Sequence, residues 1–212
     1  LGLYIAVNFF WYPHIYFELL SVSNILLLIC IALVIVGPLL ALFAYKAEFK
    51  KDFMVILLLQ SIVIFFGAKL LYEERPVFLV FSVDRFVIVT ANSIHYNMLS
   101  PLVFSQSLDK EPLVVAAHLP KEADIQVMIG VMNGEADIEY RPELYEPLVT
   151  QLDELNDRAK KTDIMGKEKY LDKDKYFLFP LVNPKGEDKL IVFGLYEMDI
   201  VDVYDIDPWE IK

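Results

Sequence analysis

Cysteine and histidine are scarce in this 212-residue sequence, which contains one cysteine and three histidines. Cys30 has no second cysteine to pair with, so the sequence holds no disulfide framework. A metal site built from cysteine and histidine needs several of them at short spacings, whereas His14, His95 and His118 are scattered. We expect these histidines to be ordinary surface or packing residues, and we predict no metal and no other cofactor.

Signatures of common catalytic and phosphate-binding sites are also missing. The sequence contains no GxSxG motif, no glycine-rich phosphate loop and no HExxH motif. Acidic residues outnumber basic ones by 30 to 19, which gives a net charge of −11. Because nucleic-acid phosphates are bound by clustered lysine and arginine, nucleic acid is not an expected partner. No reaction follows from the sequence, and we do not expect an enzyme.

Hydrophobic residues make up 56% of the chain and are concentrated at its amino-terminal end. Ordinary soluble domains are roughly 45–50% apolar, so this excess needs an explanation. Residues 1–72 carry a net charge of +1, whereas residues 73–212 carry −12. The composition predicts an apolar membrane unit over 1–72 and an acidic, water-soluble domain over 73–212 with its own core.

Long uncharged runs in the first unit predict transmembrane helices. A helix needs roughly 20 apolar residues to cross a bilayer, and the runs 19–45 and 53–72 reach that length. Residues 1–12 are also apolar but too short. We interpret them as the second half of a third helix whose beginning precedes the numbered sequence. The first unit is thus predicted to be a bundle of three transmembrane helices, the first incomplete here.

A lysine-rich turn between the two complete runs predicts the orientation of the chain. Cytoplasmic loops are enriched in lysine and arginine. Lys46, Lys50 and Lys51 lie in this turn, whereas the opposite loop, 13–18, contains neither. Aromatic residues around that opposite loop are typical of a membrane surface. We expect the turn inside the cell, the domain after residue 72 outside, and membrane lipid around the helices.

Two features within the predicted helices have alternative interpretations. Gly37-Pro38 interrupts the middle run, where proline removes a backbone donor and can kink a helix. Gln60 places a polar amide within the last run. These residues either form a groove for another membrane helix or only pack the three helices together. Lys69, near the outer end, is expected to extend its ammonium group to the lipid headgroups.

Short strand and helix patterns predict an α+β architecture for the second unit. Runs of β-branched and aromatic residues indicate strands, and apolar residues at helical spacing indicate helices within 121–134 and 147–161. Because strands come first, helices in the middle and strands last, we expect an α+β domain with a largely antiparallel sheet. The predicted strands are 77–83, 86–90, 112–119, 176–182, 189–197 and 199–209.

Charged residues within apolar sequence are the remaining candidates for interaction in this domain. Asp84 and Arg85 form a charged pair inside a strongly apolar stretch, and a structural salt bridge is the first interpretation. Four aspartates along the last predicted strand are expected to form its solvated face, with a weak cation site as the alternative. They are Asp199, Asp202, Asp205 and Asp207.

Six separated pieces of the sequence follow the order found in a known family. They are WYPHIYFEL, GPLLALFAYK, FKKDFMVILLLQ, RPVFLVFSVDRFVIV, DIEYRPELYEP and the near-terminal IDPW. Together they span nearly the whole chain. On these pieces the sequence resembles the type IV pilin accessory family, the TfpX/TfpZ group of membrane proteins, although its first helix is incomplete.

The resemblance implies an inner-membrane protein of a Gram-negative bacterium with its soluble domain in the periplasm. The implied role is to help a cognate major pilin fold, remain stable or enter the pilus. No catalytic residues follow from the resemblance. We expect contact with the pilin at Asp84 and Arg85 and at Arg141, Pro142 and Tyr145, with a structural role for each as the alternative.

Two other functions remain open from the sequence. An envelope enzyme that modifies pilin would need a cluster of catalytic polar residues, and the sequence indicates none. A sensor with a ligand-binding outer domain would need an output domain, whereas the predicted cytoplasmic connection is only the short lysine-rich turn.

Overall fold

A computed structural model describes residues 2–13, 15–44, 49–94, 112–118, 124–159 and 175–210. The chain divides into two compact units, residues 1–75 and residues 76–212. The first unit is helical and the second is built on a sheet.

The described residues of the first unit form four α-helices. They are α1 (Gly2–Ala6), which continues as a π-helical turn over Val7–Trp11, α2 (Tyr16–Leu19), α3 (Val22–Ala44) and α4 (Phe49–Glu73).

Helices α3 and α4 are long and apolar enough to cross a membrane, over Val22–Leu39 and Met54–Glu73. Only 18% and 11% of these two windows are buried within the chain. The core helix of a soluble protein would be mostly buried, whereas these two present apolar side chains outward. Gly2–Trp11 is a shorter apolar helix.

The helix boundaries correct two details of the sequence interpretation. The predicted run 19–45 is broken at Ser21, whose φ of 50° lies in the left-handed region, so α3 begins only at Val22. Lys50 and Lys51 lie in the first turn of α4, because lysine is a good helix former and the helix extends back to Phe49.

The connection between α3 and α4 therefore does not contain all three predicted loop lysines. Lys46, the third of them, lies outside the described residues. Lys50 and Lys51 still flank the connection at the start of α4.

A seven-stranded sheet in the order β4-β3-β1-β2-β5-β6-β7 forms the second unit. Four strand pairs are antiparallel, while β1–β3 and β2–β5 are parallel. The strands are β1 (Pro76–Ser82), β2 (Arg85–Thr90), β3 (Leu113–Ala117), β4 (Tyr145–Pro147), β5 (Tyr176–Val182), β6 (Lys189–Gly194) and β7 (Asp199–Tyr204).

The sheet is mostly antiparallel, as predicted, but the two parallel pairs make it mixed. Strand β4 was not predicted from the sequence. It is three residues long and is defined by its antiparallel pairing with β3.

The central strands are apolar along their whole length because side chains on both sheet faces are buried. All seven residues of β1 are buried. One face carries an aromatic cluster in which the rings of Phe86 and Phe193 stack at 4.7 Å. Phe81 and Phe179 meet the same Phe86 ring at 5.2 and 5.3 Å. Phe78, Val80 and neighbouring aliphatic residues belong to a second core cluster.

Short helical elements pack against the β1–β3 part of this sheet. The turn 138–140 packs on β1 and β2, and the turn 148–151 packs on β3. The predicted second amphipathic helix begins as the 3₁₀ turn 148–151 before it becomes α-helical. The elements are α5 (Asp124–Met132), the 3₁₀ turns Ile138–Tyr140, Pro142–Leu144 and Leu148–Gln151, and α6 (Leu152–Arg158).

Candidate functional site

A cavity of about 610 Å³ lies between the β1–β2 hairpin, the end of β3 and helix α5. This volume is within the roughly 300–1,000 Å³ range of small-molecule and side-chain pockets. Its walls combine apolar side chains with a few charged ones. The residues that line it include Phe81, Val83, Arg85, Ala116, His118, Val127, Val131, Met132, Asp137, Ile138, Glu139 and Glu154.

The β1–β2 turn forms one rim of the cavity and has a strained backbone. Val83 has a φ of 58°, and the N–H of Asp84 donates to the carbonyl of Ser82 at 2.7 Å. This is the pattern of a γ-turn with a positive central φ, which is rare and unfavourable for a β-branched residue. The turn leaves the Val83 side chain 49% exposed at the rim. Strained residues of this kind cluster at ligand-binding sites.

Arg85 brings a positive charge to the same rim. Its Nε lies 3.3 Å from Oδ1 of Asp84, so the predicted ion pair is present. Both side chains are more than one-third exposed, which places the pair at the turn and not inside the sheet. The Arg85 guanidinium also lies 5.5 Å from the ring centre of Trp209, in the near-terminal IDPW piece.

Glu139 is the partly buried carboxylate of the cavity. Burial raises its pKa, and the neighbouring Asp137 charge raises the pKa further, while a hydrogen bond from its own backbone and the charge of Arg85 act in the opposite direction. Asp137 and Glu154 add two more carboxylates to the lining. Among the described residues of the lining, three carry a carboxylate and one a guanidinium, over an apolar floor.

Tyr145 supports the wall that carries Glu139. The Tyr145 hydroxyl donates to the backbone carbonyl of Glu139 at 2.5 Å, and its ring meets Phe78 edge-to-face at 5.2 Å. Both Tyr145 and Pro142 are buried. Burial also raises the pKa of the Tyr145 phenol well above its usual value. The structure thus places these two predicted contact residues behind the cavity wall and away from its surface.

Arg141 fixes the loop between α5 and this wall. Its Nε donates to the carbonyl of Ala136 at 2.8 Å, and its Nη2 pairs with Glu135 at 2.7 Å. The ion pair lies over Gly130, where an added Cβ would come within 2.5 Å of the Glu135 carboxylate. Glycine therefore allows the loop to close against the end of α5.

The helical unit brings two other predicted residues together. A Cβ built on Gly37 would lie 2.7 Å from Nε2 of Gln60, so these residues are in close contact across α3 and α4. A second contact of the same kind joins Gly67 to Ile29, with 2.8 Å to Cδ1. Both contacts fit the interpretation in which small residues pack the helices closely. Pro38 lies inside α3 and is exposed.

Aromatic residues join the end of the first segment to the end of α4. The rings of Trp11 and Tyr72 meet at 5.4 Å with an interplanar angle of 69°, and the Tyr12 hydroxyl donates to the carbonyl of Leu71 at 2.8 Å. Nearby, Lys69 forms an ion pair with Glu73 at 3.5 Å. This aromatic group contains the Trp11 and Tyr12 that the sequence assigns to a membrane surface.

Comparison of the chain with protein-family profiles, curated proteins and solved structures finds no match. Membership of the type IV pilin accessory family therefore stays a prediction from the sequence resemblance.

Strand β7 ends at Tyr204, before the predicted end at residue 209. Asp199 and Asp202 therefore lie in the strand, whereas Asp205 and Asp207 follow it. Oδ1 of Asp199 and of Asp202 accept hydrogen bonds from the next N–H along the strand. Asp205 pairs with Lys189, and Asp207 accepts from the N–H of Trp209. Within the described residues, no group of three or more acidic, histidine or cysteine side chains is placed to hold a metal ion. The cation-site alternative gains no support from this arrangement.

The residues of the cavity that the sequence did not indicate come from distant parts of the chain. His118 follows β3, Glu139 lies in a 3₁₀ turn and Glu154 lies in α6. The sequence signal for Glu139 is a glutamate between apolar residues in the DIEY piece. That signal does not indicate a site by itself, because only the fold brings Glu139 close to Arg85.

Proposed function

We propose that this chain is a membrane-anchored accessory protein that binds and stabilises a cognate type IV pilin and assists pilus assembly. The observation that carries the proposal is the pairing of two long, outward-facing apolar helices with a separate sheet domain. A pilin before assembly has a hydrophobic helix in lipid and a globular head outside it. A partner with a helical unit and a sheet domain has a surface for each part.

The proposal places the helical unit in the bacterial inner membrane and the sheet domain in the periplasm. Two features support that orientation. The lysines at the start of α4 are at the end of the helix that the positive-inside rule assigns to the cytoplasm. The aromatic contacts of Trp11 and Tyr72 are at the opposite end of α4, where a membrane surface favours such residues.

Co-purification from membranes tests the proposal. The tagged full chain, purified in mild detergent after crosslinking in cells that make the cognate pilin, is expected to carry that pilin. Cells without the protein should contain less pilin at steady state. An absence of pilin from the crosslinked preparation, together with unchanged pilin levels, would contradict the proposal.

The intact mass of the pilin separates this function from the enzyme alternative. Under the proposed function the pilin mass is the same in the presence and absence of this protein. A mass change that depends on the protein would favour a modifying enzyme.

A further inference from the structure

We propose that the cavity beneath the β1–β2 turn binds a lysine- or arginine-bearing segment of the partner protein, with apolar residues beside the basic one. The inference deepens the proposed function and rests on it for the identity of the partner as a pilin. It adds the surface and the chemistry of recognition, which the resemblance does not supply.

Charge is the first argument for a basic occupant. Asp137, Glu139 and Glu154 give the cavity three carboxylates. Arg85 is the guanidinium among the described lining residues, and besides acting on Glu139 it already faces Asp84 and the Trp209 ring. An incoming ammonium or guanidinium group would meet a surplus of negative charge, and such complementarity selects partners and speeds their encounter.

The apolar floor is the second argument, because it suits the aliphatic stem of lysine or arginine and its neighbours. A long basic side chain lies along apolar surface while its charged end stays with polar groups. Two apolar side chains, Val83 and Met132, stand 49% and 86% exposed at the rim, where a flanking apolar residue would cover them. The floor is formed by Phe81, Ala116, Val127, Val131 and Ile138.

The position of Glu139 is the third argument. Its carboxylate is partly buried and Asp137 lies nearby, and together these disfavour its negative charge more than a backbone hydrogen bond and Arg85 favour it. A cation bound next to Glu139 would favour its negatively charged form. The wall that holds Glu139 is fixed by the Tyr145 hydroxyl, so the carboxylate is positioned before the partner arrives.

Site-specific photo-crosslinking of the full-length protein in living cells tests this inference. A photoreactive amino acid is placed singly at Val83 and at Met132, with Tyr196, an apolar residue that is 75% exposed on the β6–β7 turn, as the matched control. The two rim positions should crosslink to pilin and Tyr196 should not. Mapping after chymotrypsin digestion should find a lysine or arginine within a few residues of the crosslinked site.

A pair of charge-removing substitutions tests the chemistry of recognition. Glu139→Gln with Glu154→Gln keeps the shape of the cavity and should lower the rim crosslinking yield about fivefold, the order of effect expected from lost charge pairing at a partly exposed site. Glu187→Gln with Glu210→Gln makes the same charge change at exposed positions outside the cavity. This control should leave the yield unchanged.

The outcomes separate failure of this inference from failure of the proposed function. Pilin crosslinks at Tyr196 but not at the rim, or rim crosslinks to a pilin segment without a basic residue, would overturn the inference and leave the function standing. Rim crosslinks to this chain's own residues would also overturn it. Absence of pilin from crosslinks at every position and from the co-purified material would overturn both.

Discussion

Glu139 is the residue at which the stability of the sheet domain and its proposed function oppose each other. Burial and the charge of Asp137 raise its pKa, which means that the folded domain holds the neutral carboxyl better than the charged one. The charged form is nevertheless the one that would receive a basic side chain.

Replacing Glu139 by glutamine should therefore stabilise the domain at neutral pH. A carboxyl whose folded pKa is raised contributes stability below its unfolded pKa, near 4.5, and that contribution is lost as pH rises through the folded pKa. Glutamine does not ionise, so the variant does not lose this stability as pH rises. Its thermal midpoint should exceed that of the parent protein at pH 7, by a few degrees at most, and the difference should shrink at pH 4. A lower midpoint for the variant at pH 7 would contradict this account of Glu139.

The Tyr145 hydroxyl is the second residue whose role can be measured directly. Tyr145→Phe removes the hydrogen bond to the Glu139 carbonyl and should lower the free energy of unfolding by about 1 kcal/mol. Tyr196→Phe, at an exposed position, is the matched control and should have no effect. Equal denaturation midpoints for the parent and the Tyr145 variant would show that the bond does not support the wall.

The β1–β2 turn is an element that stores strain at the rim of the cavity. Val83 adopts a φ of 58°, and glycine adopts such angles without a steric penalty. Val83→Gly should raise the free energy of unfolding by up to about 1 kcal/mol. Val83→Ala keeps the Cβ and should give a smaller gain. Destabilisation by the glycine substitution would mean that Val83 packing outweighs the strain.

Helices α3 and α4 are held by two reciprocal contacts between a glycine and a larger side chain. Gly37→Leu would collide with the terminal amide of Gln60, which can partly move aside, and should lower the helix-pair stability by about 1 kcal/mol, seen as lower steady-state protein in membranes. Gly2→Leu is the control, because nothing lies within 4 Å of a Cβ at Gly2. Unchanged protein levels for Gly37→Leu would place Gly37 away from the helix contact.

The strands that are easiest to predict from the sequence are those in which consecutive residues are buried. The runs 77–83, 86–90 and 176–182 correspond to β1, β2 and β5 because β-branched and aromatic residues fill strands buried on both faces. Strand β4 was not predicted, because its three residues, ending at Pro147, form a strand only by pairing with β3.

Long-range pairing explains what the sequence could not predict. The parallel neighbours β1–β3 and β2–β5 are set by how the whole sheet packs, and no local pattern encodes them. The cavity depends on the same pairing, because its residues extend from Phe81 to Glu154. Arg85 was found from the sequence since a charge in an apolar run is visible locally, whereas Glu154 looks like an ordinary helix residue.

At the scale of the whole molecule, charge and apolar surface are separated along the chain. Residues 1–72 carry +1 and residues 73–212 carry −12. The long helices of the first unit present apolar side chains outward, whereas the sheet domain buries most apolar side chains of its central strands. This separation is the physical basis for the proposal that lipid surrounds the first unit and water surrounds the second.

Cysteine labelling in intact spheroplasts is the most direct test of that assignment. In a Cys30→Ser background, single cysteines are introduced as Tyr196→Cys in the sheet domain and Lys46→Cys between α3 and α4. A membrane-impermeant maleimide should label the first variant in intact spheroplasts and the second only after lysis. Labelling of Lys46→Cys before lysis, with Tyr196→Cys protected until lysis, would place the sheet domain in the cytoplasm and contradict the proposed function.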